Sequence, residues 1–338
     1  MDFQGVLESQ RSLIWLRKYF EPGCFELYIP ITNDSLKLIK KENLIWIKGY
    51  KEAAVIEDRK LEDSTKKKAF TVKGRFLSSY MDRRIIKGTV NFSGKVEVAM
   101  RQLLSSVTPI PRVKLGELQG FEETVEFQVT YKNLLEYEEK LSKSSGLGFR
   151  FRPDFDEKVI YFEIYKGTDR TSSQGVNNRV TFAETYKNLN NTIYRENEQL
   201  YKNVALVGGV GEGSERTIVQ VGTASGLELR EIFVDAKDIS KDGLTDEQYK
   251  AALIARGQEK LADNIISTSF ECDTGADVNF VYKQHYDLGD IVTIKKKDWG
   301  ITLDQRITEV REVHENGGRI IEPTFGDSLP ESIDWSDS

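Results

Sequence analysis

The chain has 338 residues, 39% of them hydrophobic, 10% aromatic and 30% charged, with a net charge of −6. That length suits two or three domains, and that apolar content excludes a chain too polar to bury a core. The acidic balance argues against a dedicated nucleic-acid surface, and no apolar run nears the ~20 residues of a membrane-crossing helix.

The first predicted element is a hairpin. Residues 12–19 read as a strand, Glu21-Pro22-Gly23 turns the chain, and 24–29 returns with Phe25, Leu27 and Ile29 alternating against Cys24, Glu26 and Tyr28. Period-2 alternation marks a half-buried strand. Pro22 presets one turn position, and Gly23 is expected to take a positive φ at the next. Strands are predicted at 44–48, 53–57 and 69–76; within 60–68, the Lys66-Lys67-Lys68 run reads as a solvated hairpin tip rather than a binding patch.

Beyond Ser93 the period becomes helical. Val96, Ala99, Met100, Leu103, Leu104 and Val107 share one face, with Ser93 as the expected N-cap and Thr108-Pro109 as the stop. A strand over 124–130 precedes a second helix, whose Leu134, Tyr137 and Leu141 share a face and which Gly146 ends. Strands over 148–152 and 158–165 complete a small α/β module. A polar loop at 169–174 is followed by strands at 179–183, 203–207, 217–221 and 228–235. Thr245 and Gln248 fit a capping box opening a helix that runs to Asn264. Strands at 267–272, 278–283, 291–296, 305–313 and 319–325 follow, and 326–338 reads as an acidic tail. The fold class is α+β and β-rich.

Few residues suggest chemistry. Gly208-Gly209-Val210-Gly211-Glu212-Gly213 follows a strand as a phosphate loop does, but the next segment alternates like a strand where a dinucleotide fold needs a helix, so a hairpin turn is expected. His285 and His314 are the only histidines and lack zinc-ligand spacing. Cys24 and Cys272 lie far apart in sequence and read as reduced, buried thiols. No metal, cofactor or catalytic residue is expected. Gly167-Thr168-Asp169-Arg170-Thr171 reads as a tight polar turn in which Asp169 and Arg170 form a stabilising pair or meet a partner subunit. Leu288-Gly289-Asp290 reads as a strand-entry turn, with Gly289 allowing close backbone approach and Asp290 capping local amides.

Several segments taken in order resemble the siphophage and prophage tail-hub family of tail-associated, baseplate hub-like proteins. They are Arg11-Ser12-Leu13-Ile14-Trp15, Pro22-Gly23-Cys24-Phe25-Glu26-Leu27, Ala54-Val55-Ile56-Glu57, Val72-Lys73-Gly74-Arg75-Phe76-Leu77 and Arg83-Arg84-Ile85-Ile86. Gly167-Thr168-Asp169-Arg170-Thr171, Lys202-Asn203-Val204-Ala205, Tyr286 to Val292, Gln305 to Val310 and Pro323-Thr324-Phe325-Gly326 continue the series. The resemblance implies two β-barrel-like tube domains with inserted modules. These are 1–92 for the first barrel, 93–168 for the α/β module, 169–240 with 267–326 for the second barrel, 241–266 for a helical insertion and 327–338 for the tail.

It also implies a structural, non-enzymatic role: a ring at the distal end of the tail tube, located at the virion tail tip after assembly in the host cytoplasm. The implied partners are a homotrimer, the tail tube and distal tail proteins, and the tape measure or tail-tip and fibre proteins. DNA passes through without specific binding, and no membrane is entered. Ile333 and Trp335 in the tail are candidate partner contacts. The strands at 11–19 and 305–313 are the expected ring edges, channel-facing surfaces are expected to be net negative, and Lys66–Lys68 is expected to point elsewhere. Two alternatives stand beside this reading. One is a tail-tip module binding host-surface carbohydrate, with Trp15, Trp46, Trp299 and Trp335 as stacking candidates; the other is a cell-wall hydrolase. Some family members carry lytic extensions; the chain stops at Ser338, so no lytic function is expected.

Overall fold

In the computed structural model β1 (Ser12–Lys18) and β2 (Cys24–Ile29) pair antiparallel, bringing Trp15 opposite Phe25. The structure describes residues 1–64, 68–274, 279–315 and 317–326. Gly23 does not adopt the expected positive φ. It is needed for space instead, because a Cβ there would lie 2.2 Å from the Leu16 carbonyl oxygen and 2.7 Å from the Phe76 ring. A six-residue helix α1 (Asn33–Leu38), capped by Thr32, precedes β3 (Leu44–Trp46) and β4 (Ala53–Val55). Next, β5 (Asp58–Asp63) pairs antiparallel with β6 (Lys68–Arg75), so residues 60–63, before the lysine run, form part of an exposed edge strand. Lys68 belongs to β6; Lys66 and Lys67 lie outside the described residues.

The central module departs from expectation at one cap. β7 (Thr89–Lys95) runs directly into α2 (Val96–Ser106), so Ser93 is a strand residue and the cap position falls on Lys95, without a side-chain cap. The reason is that Ser93 is held in the antiparallel ladder with β9 (Thr124–Thr130), opposite Glu126. In the first turn of α2, the Glu97 carboxylate accepts hydrogen bonds from the amides of Gln119, Gly120 and Phe121. α3 (Leu134–Ser145) starts on Asn133 and ends on Gly146 at φ 72°, the left-handed stop expected there. β10 (Gly148–Asp154) pairs with β11 (Val159–Tyr165), and β8 (Val113–Leu115) adds in parallel to β11. Met100, Leu103, Leu141, Phe149 and Phe162 fill the core between these elements.

Glu138 on α3 is buried in that region, with neither carboxylate oxygen hydrogen-bonded among the described residues. Burial pushes its carboxyl well above the usual pKa. The folded chain therefore holds a proton that the unfolded chain releases above about pH 4.3, and stability falls as pH rises from there toward the folded pKa. Glu138→Met is expected to remove this penalty, raising the melting midpoint at pH 7 by about 2–5 °C with almost no effect near pH 4. Melting curves of both chains between pH 4 and 8 check it; parallel pH profiles would contradict it.

In the last third, β12 (Thr181–Ala183) and β13 (Asn190–Asn197) precede β14 (Val204–Gly208), β15 (Ile218–Val221) and β16 (Glu231–Asp235). α4 (Asp246–Ala262), opened by the Thr245–Gln248 capping box, leads to β17 (Ser267–Asp273), β18 (Ile291–Lys296), β19 (Ile301–Glu315) and β20 (Gly318–Gly326). α4 does not stand alone as an insertion: Tyr249 and Leu253 share a core with Ala205, Val207 and Val234. Gly257 makes the helix–sheet approach possible, since its Cβ would fall 2.7 Å from Val221 and 2.8 Å from Val207. The glycine-rich run joins β14 to antiparallel β15, Gly208 lying opposite Ile218, so it is a hairpin connection. No strand forms at 279–283; Tyr282 bridges Tyr286 within a turn where Lys283 has φ 66°. Val278 lies outside the described residues.

One ten-stranded sheet organises the chain, in the order β13-β17-β20-β19-β1-β2-β6-β5, with β18 and β12 branching from β19. The path ends at β13 and β5 and does not close into a barrel among the described residues. β1 and β19 pair with each other from Ser12 opposite Glu315 to Lys18 opposite Glu309. The two strands expected as ring edges are therefore the centre of the sheet. Alternation identifies a half-buried strand but carries nothing about its neighbours. Two cores pack along this sheet: Trp15, Phe25, Leu27, Phe70 and Phe76 in one, and Phe182, Phe270, Val292, Ile307 and Phe325 in the other.

Candidate functional site

The turns singled out in the sequence converge on Tyr19, at the end of β1. A Cβ on Gly167 would fall 1.8 Å from the Gly289 carbonyl oxygen, and one on Gly289, itself at φ 94°, would fall 2.2 Å from the Tyr19 ring. The Gly167 amide donates to the Tyr19 hydroxyl at 3.1 Å, whose own hydrogen faces the carbonyls of Gly146 and Tyr165. Asp290 accepts from the amides of Thr168 (2.7 Å) and Asp287 (3.0 Å) and from Arg170 Nε (2.7 Å). Arg170 thus pairs with Asp290 rather than with its neighbour Asp169, which caps the Thr171 amide. Arg306 donates to the Gly289 carbonyl at 2.6 Å, and its guanidinium lies 5.1 Å from the Tyr19 ring centroid. This cluster fastens the first hairpin, the end of the α/β module and the entry to β18 at one point. Pro22 and Gly23 stay at their own turn, where Phe76 donates its amide to the Gly23 carbonyl.

A second, ionic cluster lies beneath it, and no motif pointed to it. Arg17, 3% exposed, donates to Glu52 Oε1 through Nη2 (2.6 Å), to Asp287 Oδ1 through Nη1 (2.6 Å) and to the Tyr282 hydroxyl (2.5 Å). Burial disfavours the charge on Arg17, but Glu52, Tyr282 and Asp287 overcome it and hold the guanidinium firmly protonated. Burial likewise opposes ionisation of Asp287, and the Arg17 charge outweighs it, leaving the carboxyl below its usual pKa. Farther along the seam, Glu312 is fully buried and accepts from the Tyr50 hydroxyl at 2.5 Å and from Arg319 at 2.6 Å. Burial raises Glu312, but the neighbouring His314 ring, whose Nε2 lies 3.6 Å away, and the hydrogen bonds from Tyr50 and Arg319 lower it further than burial lifts it. The sequence did contain one signal: Arg17 stands in phase with Leu13 and Trp15, a charge on an apolar face.

This is positioning chemistry. Both cysteines are pushed up by burial, so neither is an activated thiolate. His285 Nδ1 accepts the Val281 amide within its turn, and among the described residues no group of His, Cys, Asp and Glu could hold a metal ion. Trp15 is fully buried and offers no face to a sugar; Trp46 is half-buried, its ring tilted against Phe155 with centroids 4.3 Å apart, and Trp299 is half-exposed. Ile333 and Trp335 lie outside the described residues.

On the opposite face of the sheet Ile14 and Leu16 stand among charged side chains, three pairs of which meet across strands. Lys18 meets Glu309 at 3.3 Å, Lys73 meets Glu26 at 3.0 Å, and Arg311 pairs with Glu322, each pair standing in direct register.

Three solved structures share the fold over nearly their full lengths. The tail protein from Neisseria meningitidis MC58 matches at 14% identity and a TM-score of 0.60, covering 95% of this chain and 93% of that one. The 43 kDa tail protein of prophage MuSo2 from Shewanella oneidensis matches at 11% identity and 0.59, covering 95% of each chain. Prophage tail protein gp18 from Listeria monocytogenes EGD-e matches at 14% and 0.51, covering 97% and 92%. Among curated proteins, none matches the chain. At these identities the likeness establishes the β-rich fold of phage tail proteins. A sequence family reaches further, spanning residues 1–327 in a single match. On that match the chain belongs to the Siphovirus ReqiPepy6 Gp37-like protein family, a family of siphovirus tail proteins.

Proposed function

We propose that the protein is a non-enzymatic tail hub: three copies form a ring at the distal end of the tail tube and tie it to tail-tip or baseplate components. The observation that carries this reading is the wide sheet on whose outer face Lys18 and Glu309, Lys73 and Glu26, and Arg311 and Glu322 pair across strands. Such a face suits the wall of a DNA conduit. A row of unpaired cations would release counterions from passing DNA and hold it, whereas paired ones gain little from doing so. The two β-rich regions, 1–92 and 169–240 with 267–326, supply two tube-like units per chain and six per ring. The ring contact falls on the edge strands β5 and β13, because a head-to-tail contact that closes at three satisfies both edges.

Tail tube and distal tail proteins, and the tape measure or fibre proteins, are the expected partners, with Ile333 and Trp335 offered to one of them. Imaging of assembled tails with this subunit labelled tests the reading. Three copies per ring are expected, and six would overturn it. DNA should bind the assembled ring weakly; tight, salt-sensitive binding would count against the conduit. Hydrolysis of purified cell wall, lost on replacing His285 and His314 by alanine, would move the protein to the hydrolase class.

A further inference from the structure

The module inserted between β13 and β17 covers only one of its two sheet faces. Ala205, Val207, Val219, Val221, Ile232 and Val234 pack with α4. The side chains in alternate phase, Leu206, Ile218 and Phe233, point away from the helix, with Leu206 directly opposite Phe233. Ile218 is 51% exposed and Phe233 56%, and Leu227 and Leu229 just before β16 are exposed as well. Single exposed apolar side chains are ordinary, but a group of them on one small sheet marks an interaction surface.

The face is also held in shape. Arg216 lies over the Phe233 ring at 5.2 Å and is itself fixed by the carbonyls of Gly208 and Gly209 and by Asp235. Around it stands an anionic rim. Glu212, Glu215, Glu228 and Glu231 are exposed and make no ion pair among the described residues. Of the nearby cations, Arg216 is engaged by Asp235 and Arg230 by Glu198, while Lys237 stands beside Asp235.

We propose that this face docks a segment of a partner protein that carries apolar side chains flanked by lysine or arginine. Apolar burial supplies the attraction, and the uncompensated carboxylates select the sign of the flanking charge. The inference goes beyond the hub reading and rests on the module alone.

A short fluorescent peptide of alternating leucine and lysine, titrated against the full chain, tests it, with leucine–glutamate and serine–lysine peptides as comparisons. The leucine–lysine peptide is expected to bind saturably and more weakly at high salt, and the comparisons at least about tenfold more weakly. Phe233→Ser and the double variant Glu228→Lys/Glu231→Lys should each reduce its affinity by about tenfold or more. All three positions are exposed, so the variants should melt like the parent chain. Unchanged affinity in both variants, or equal binding of the serine–lysine peptide, overturns the proposal. So does a dimer of the parent chain that Phe233→Ser abolishes, which would make a second copy the occupant. Copy number in the tail decides the hub reading, and neither result decides the other.

Discussion

Gly167→Ala is expected to destabilise the protein by about 3–5 kcal/mol, among the largest effects of any methyl group added to this chain. The new Cβ would sit 1.8 Å from the Gly289 carbonyl oxygen and 2.6 Å from the Asp290 amide nitrogen, both backbone atoms. A flexible side chain could swing aside; a backbone pinned on both flanks cannot. The Gly289 amide donates to Ile307, the Ile307 amide donates back to Asp290, and the Ile291 amide donates to Thr168. Relief therefore requires parting the α/β module from the entry to β18. Gly289→Ala should cost a similar amount through two causes, strain at φ 94° and a clash 2.2 Å from the Tyr19 ring. Gly175→Ala is the control, since nothing lies within 4 Å of its Cβ. Denaturant titration of the three variants checks the ranking. A Gly167→Ala chain as stable as the Gly175→Ala chain would show that the close approach is not maintained in solution.

These glycines were legible in the sequence only as turns. Gly289 and Asp290 read as a strand entry on local chemistry, and the cap that Asp290 makes is of that kind. What local chemistry could not contain was the partner, because Gly167 and Gly289 meet across 122 positions. The same limit separates the elements that were found from those that were missed. α3 and α4 carry their signals within one or two turns, as apolar periodicity, a capping box and a terminal glycine. β5 has no apolar alternation because it is an exposed edge strand, held in place by its ladder with β6 rather than by burial. β1 and β19 were recognised as strands but placed at edges. Their pairing spans almost the whole chain, and only the fold states it. Arg17 was visible as a charge in an apolar phase, yet its compensating carboxylates come from a turn before β4 and a loop before β18.

Arg17→Met should cost about 3–5 kcal/mol at neutral pH, because it removes one partner of a buried ion pair and leaves the other without compensation. Glu52 is 5% exposed, and apart from Arg17 no cation contacts it among the described residues. Asp287 suffers less, since its side chain remains about half-exposed at 49% and can turn to water. A double variant, Arg17→Met with Glu52→Leu, removes both charges and should recover a large part of the loss.

The pH dependence supplies an independent reading. Asp287 and Glu312 are both held below their ordinary pKa in the folded chain, by Arg17 and by the His314, Tyr50 and Arg319 contacts acting against burial. For carboxyls depressed in this way, the unfolded chain binds more protons on the acid side. Their contribution is complete above the unfolded values of about 4 and disappears as pH falls through the folded values. Arg17→Met removes the depression of Asp287 and leaves that of Glu312. The gap between parent and variant should therefore be widest near pH 7 and begin to narrow by pH 3, as the pH approaches the depressed pKa of the Asp287 carboxyl that Arg17 serves. Denaturant titrations of the parent, the single variant and the double variant at both pH values would measure it. A gap that stays constant with pH would mean that Arg17 contributes by packing its methylenes into the seam, with its charge balanced no better there than in water.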